Sequence, residues 1–191
     1  MEKTKKPSNA ERARRQQFFN RAVIVATVIV IVIVTAYALS RPTSVELPDY
    51  LNRCIPETGT LAYSSSFQLQ ILINGANYTI PGGIGILGKS CIRPIHTFVS
   101  KTGPVTLYVD SDVNRTYTLK DFFLLWGSTY GLTYATFSRD ELFTYRADNT
   151  HLITMRIVNA NETREDASFG DYPLPTRGNT STNPLILISY G

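Results

Sequence analysis

The chain has 191 residues, of which 43% are hydrophobic and 18% charged, room for one packed domain with an appended segment. Composition of this kind excludes a disordered chain and a collagen-like fibre. The net charge of +4 is uneven: residues 1–22 hold seven Lys or Arg against two Glu (+5), and residues 23–191 hold twelve basic against thirteen acidic side chains (−1). A nucleic-acid-binding domain carries positive charge on its own folded surface, so nucleic acid is not expected as a partner.

Residues 1–21 read as a basic cytoplasmic tail. Ala22 to Ser40 follow as nineteen uncharged residues flanked by Arg21 and Arg41. At about 1.5 Å per residue they would span roughly 28 Å as a helix, near the thickness of a bilayer core. The expectation is a transmembrane helix over 22–40 in contact with membrane lipid. Lys3, Lys5, Lys6, Arg12, Arg14, Arg15 and Arg21 would hold the N-terminus inside and place the rest outside the cell membrane. A signal peptide cleaved after Ala38 is the alternative, from the small residues of Ala36-Tyr37-Ala38.

Residues 41–65 carry Pro42, Pro48, Pro56 and Gly59 and read as a linker. Cys54 lies here and Cys91 further on, both in the exported part. Pairing them would close a loop of about 37 residues, worth roughly 3–4 kcal/mol in the chain-entropy view. Two buried thiols are the other reading. From residue 66 the alternation of Phe67 to Ile73, then Asn74-Gly75, predicts a hairpin. Val105 to Asp110 predicts a strand. Thr118-Leu119-Lys120-Asp121 is close to a capping box and opens a two-turn helix with Phe122, Phe123 and Trp126, with Gly127 as C-cap. His151 to Val158 and Pro184 to Tyr190 predict two more strands, the last central. Residues 66–191 thus read as a small α+β, β-grasp-like domain crossed by one helix, with a β-sandwich as the alternative. Four N-x-[ST] acceptors at Asn77, Asn114, Asn161 and Asn179 agree with export as a glycoprotein.

Tyr78-Thr79-Ile80-Pro81, Ile84-Gly85-Ile86, Cys91-Ile92-Arg93-Pro94-Ile95-His96-Thr97 and Thr118-Leu119-Lys120-Asp121-Phe122-Phe123 with Trp126-Gly127 together resemble a family of small exported proteins of archaea and some bacteria. Its members read C-x-x-P-[IL]-H-T-H-D, then F-T-L-G-[DQ]-F-F-x-x-W-G. The resemblance covers roughly residues 67–191. It implies a fold and an exported location, and no established activity. The family pattern carries metal-ligand types at close spacing, but here Phe98 and Val99 stand where it has His and Asp. His96 therefore remains only a weak metal candidate, and a structural histidine is the favoured reading.

No catalytic motif is found. His96 and His151 sit beside no recognisable nucleophile, and there is no G-x-S-x-G or C-x-x-C. Asp110 with Asp112, and Asp140 with Glu141, read as carboxylates solvating turns rather than as Ca²⁺ ligands. Gly82, Gly83, Gly85 and Gly88 lack the Lys-Ser/Thr of a phosphate cradle. Phe122, Phe123 and Trp126 are expected in the core, with a partner-binding face as the weaker alternative. The functional expectation is a non-catalytic, single-pass accessory subunit of a larger membrane complex, with no cofactor and with protein partners. A surface ligand- or metal-handling domain, copper-related and using His96, Met155 or carboxylates, is the alternative.

Overall fold

A computed structural model describes residues 23, 25–35, 45–56, 60–88, 90–175 and 184–191. The chain divides into two compact units, Met1–Pro42 and Thr43–Gly191.

In the first unit residues 25–35 are helical, with Val and Ile side chains exposed. Thr27 and Thr35 turn their hydroxyls back to the carbonyls of Val23 and Ile31. At 1.5 Å per residue the described residues 25–35 account for about 16 Å of rise. Among the described residues no helix is long and apolar enough to cross a membrane. The expected architecture of a transmembrane helix followed by an α+β domain is corrected accordingly. Its remaining parts, the basic tail, residues 36–40 and the cleavage point at Ala38, lie outside the described residues.

The second unit is β-rich with short helices. Its elements in order are α1 (Asp49–Asn52), β1 (Tyr63–Ile73), β2 (Ala76–Asn77), β3 (Thr79–Ile80), β4 (Ile86–Leu87), β5 (Cys91–Ile92), β6 (Ile95–His96), β7 (Lys101–Thr102), β8 (Val105–Ser111), α2 (Leu119–Tyr130), β9 (Glu141–Leu142), β10 (Tyr145–Arg146), β11 (Ile153–Val158), β12 (Thr163–Glu165), a 3₁₀ turn (Phe169–Asp171) and β13 (Leu185–Tyr190). One seven-stranded sheet runs β12-β11-β13-β1-β8-β6, with β2 also on β1. β1 and β13 pair in parallel at its centre, and the other pairs are antiparallel. The remaining sheets have two strands each, so a sandwich of two packed sheets is not formed by the described residues.

Period-two patterning places Phe67, Leu69 and Ile71 of β1, Leu107 and Val109 of β8, Met155 and Ile157 of β11, and Ile186 and Ile188 of β13 in one core. Each such side chain contributes roughly 1.5–3 kcal/mol by leaving water. The turn from β1 to β2 is Asn74-Gly75, with φ of 51° and 78°, the paired positive angles that a two-residue hairpin requires. α1 falls inside the stretch read as a linker, held there by fully buried Leu51.

α2 is longer than its sequence predicts. Thr118 and Asp121 form the capping box, but the helix runs through Gly127 and stops at Gly131, whose φ is 67°. Gly127 serves a different need. A Cβ there would lie 2.7 Å from the Leu132 carbonyl oxygen, which folds back over the helix. Gly85 is similar: its φ is 74°, and a Cβ would stand 2.1 Å from the Ile95 carbonyl oxygen. The glycine-rich stretch before Cys91 thus lets a loop lie against β6. Cys54 and Cys91 form a disulfide across 37 residues, tying the segment after α1 to β5.

Candidate functional site

Two places in the second unit gather polar groups beyond what the fold itself uses. The first is an open groove of about 560 Å³ beside β11. Its walls come from the loop before β9 (Asp140), the loop after β10 (Asp148) and the end of β12 (Glu165, then Asp166), and Leu152 and Phe169 supply apolar surface. Leu152 is 60% exposed. Glu165 and Asp166 are already paired, with Arg156 at 3.6 Å and Arg164 at 3.4 Å. Among the described residues Asp140 and Asp148 have no Lys or Arg partner. Asp148 Oδ1 accepts hydrogen bonds from the Thr150 hydroxyl and from the backbone N–H groups of Thr150 and His151. The Thr150 and His151 bonds hold its carboxyl well below the usual carboxylate range. The groove thus sets the carboxylates of Asp140 and Asp148, with Arg139, in one lining with an exposed leucine.

The second place surrounds His96. In the β6–β8 register His96 stands opposite Tyr108, and Ile95 opposite Val109. Ile95 and Val109 point into the core, so His96 is on the sheet's other face, yet it is only 2% exposed. Tyr108 stacks on the imidazole at 5.5 Å and Phe98 meets it edge-on at 4.9 Å. Nδ1 lies 3.1 Å from the Arg93 carbonyl oxygen, which can only accept, so the neutral ring carries its proton on Nδ1. Nε2 then presents a lone pair to Asp110 Oδ2 at 3.7 Å. Burial pushes the imidazole below its ordinary value near 6.5, against the opposing pull of Asp110 and the Arg93 carbonyl.

That direction fixes a pH dependence. A histidine held neutral in the fold contributes stability that is complete above about pH 6.5 and falls as pH drops below it. Asp148 and Asp166, both lowered, act only below about pH 4. Thermal melts of the wild type should therefore fall from pH 7.5 to 5.5, and those of His96→Gln should fall less. Parallel slopes would contradict the neutral assignment.

The structure sorts the residues expected from sequence. Phe122, Phe123 and Trp126 are at most 2% exposed and pack on one another and on Phe143; they form core, and no partner-binding face. Met155 is likewise a core residue. Asp110 and Asp112 part company, because Asp112 is bonded by Arg53 while Asp110 faces His96. Asp110's role was missed in sequence, where nothing marks the β6–β8 register. His151 stacks on Tyr190 at 5.5 Å and reaches Asp148 at 3.2 Å. Asn77, Asn114 and Asn161 are exposed, as glycosylation requires, and Asn179 lies outside the described residues. Among the described residues no group of three or more His, Cys, Asp or Glu is placed to hold a metal ion. Arg93 is 5% exposed, its Nη2 donates to Asn52, and its Nε and Nη1 have no partner among the described residues.

No family model, curated protein or solved structure matches this chain. The functional reading therefore rests on its own residues.

Proposed function

We propose that this chain is a non-catalytic, exported accessory subunit that docks on a protein partner through the groove beside β11. The groove carries the reading: it is large and open, and Asp140 and Asp148, neither of them bonded to a Lys or Arg among the described residues, line it together with an exposed apolar side chain. Interfaces commonly combine an apolar anchor with a polar rim that selects for charge. The complementary surface is a segment of a partner protein bearing Lys or Arg beside an apolar residue. The Cys54–Cys91 disulfide supports an oxidising compartment, and the exposed acceptor asparagines agree with one.

Leu152→Asp tests this without disturbing the fold, because substitutions at exposed positions usually change stability by about 0.5 kcal/mol or less. Tagged wild-type protein, purified under mild conditions from its native source, should carry partner chains at fixed ratio. Leu152→Asp should lose them at least tenfold while melting at the wild-type temperature. Wild-type protein that runs as a monomer without co-purifying chains would sink the proposal.

A further inference from the structure

Two acceptors that face one another in a buried place leave a requirement for positive charge between them. His96 Nδ1 is committed to the Arg93 carbonyl, so Nε2 offers a lone pair. Opposite stands the Asp110 carboxylate, whose Oδ1 is buried and has no hydrogen-bond partner among the described residues. A proton shared by the two would draw them to about 2.7–3.2 Å, but Nε2 and Oδ2 stand 3.7 Å apart. One metal ion bonded to both, at about 2.0–2.2 Å each, fits that gap with a ligand–metal–ligand angle of roughly 125°. We propose that His96 Nε2 and the Asp110 carboxylate are two protein ligands of one divalent transition-metal ion.

The surroundings support the assignment. Metal-bound histidines usually donate their second nitrogen to a carbonyl or carboxylate, which fixes tautomer and ring orientation; Arg93 O does this here. Tyr108 and Phe98 hold the ring from two sides. Arg93's guanidinium, the nearest cation along the chain, is turned to Asn52 on α1. Asp110 keeps 20% of its side chain exposed, so water can complete the shell from that side. Imidazole with carboxylate suits zinc and copper, and two protein ligands give modest affinity and an exchangeable ion. Asp110 comes from β8 and lies outside the histidine-rich sequence pattern, so this donor pair differs from the one that Phe98 and Val99 remove.

The test uses Zn²⁺ alone, added to the oxidised full-length chain after chelator treatment at pH 7.5. Calorimetry gives the affinity, and long-range ¹H–¹⁵N spectra of the histidine rings identify the nitrogen bound. One ion should bind per chain, His96 Nε2 should shift, and chelator should reverse it. His96→Gln and Asp110→Asn should each weaken binding at least tenfold, while His151→Gln leaves it unchanged. Asp110→Asn is nearly isosteric and partly exposed, so it reports even where His96→Gln disturbs folding. No uptake at millimolar zinc would overturn the proposal. So would uptake that survives both His96→Gln and Asp110→Asn, or that is lost only in His151→Gln.

Discussion

Trp126→Ala is expected to destabilise the second unit by about 3–5 kcal/mol, the range for removing a large aromatic from a close-packed interior. Trp126 is 2% exposed. Its ring centroid lies 5.0 Å from that of Phe143, 5.7 Å from Phe122, 5.8 Å from Phe123 and 6.2 Å from Tyr78. Alanine would leave a void bordered by four rings fixed on α2 and the loops around it, and such rings relax little. Trp126→Phe should cost much less, below about 1.5 kcal/mol. It gives up volume, but it also removes an indole N–H that is buried without a partner among the described residues, and an orphaned buried donor costs about 1–3 kcal/mol. Urea unfolding of the three proteins, compared at equal slope, checks both values. A partner-binding tryptophan would behave oppositely, with stability kept and partner lost on substitution to alanine.

Much of the second unit is legible in local sequence because local physics decides it. Asn74-Gly75 sets a hairpin through backbone angles that only such residues adopt cheaply. Thr118 and Asp121 start α2 through two reciprocal hydrogen bonds within four residues. β13 reads as central because Leu185 to Ile188 are apolar on both faces, and it lies between β1 and β11. What escapes is whatever depends on long-range approach. Gly127 looks like a helix stop, but the folded Leu132 carbonyl makes it a close-contact residue and passes the stop to Gly131. Residues 22–40 read by hydropathy alone as a membrane span, whereas among the described residues no helix is long and apolar enough to cross a membrane.

The candidate sites are less legible still. Asp110 and His96 are fourteen positions apart in sequence, and only the pairing of His96 with Tyr108 puts the carboxylate in front of the imidazole. The groove draws on the loop before β9, the loop after β10, β11 and the end of β12, none of which carries a motif. Asp140 beside Glu141 looks like a turn pair in sequence. In the fold Glu141 turns to Arg146 at 3.7 Å, which leaves Asp140 to line the groove.

The Cys54→Ser, Cys91→Ser double variant should lose about 3–4 kcal/mol by a different route from Trp126→Ala. The bridge spans 37 residues, and closing a loop of that length restricts the unfolded chain by about 4 kcal/mol at 25 °C in the entropy model. Little in the folded state opposes the change. Cys54 is exposed and Cys91 half-buried, so two serines would bury little unsatisfied polarity. α1 also keeps its Arg93–Asn52 bond and buried Leu51, and the segment after it keeps the Ile55–Ile92 bridge. The sheet should therefore survive with its strand pairing intact. The two losses then differ in a measurable way: removing the cross-link lets the unfolded chain expand and raises the urea slope, whereas Trp126→Ala leaves that slope unchanged. Reduction of the wild type should reproduce both the loss and the steeper slope. A loss below about 1 kcal/mol with an unchanged slope would mean that non-covalent contacts already hold residues 54 and 91 together in the unfolded chain.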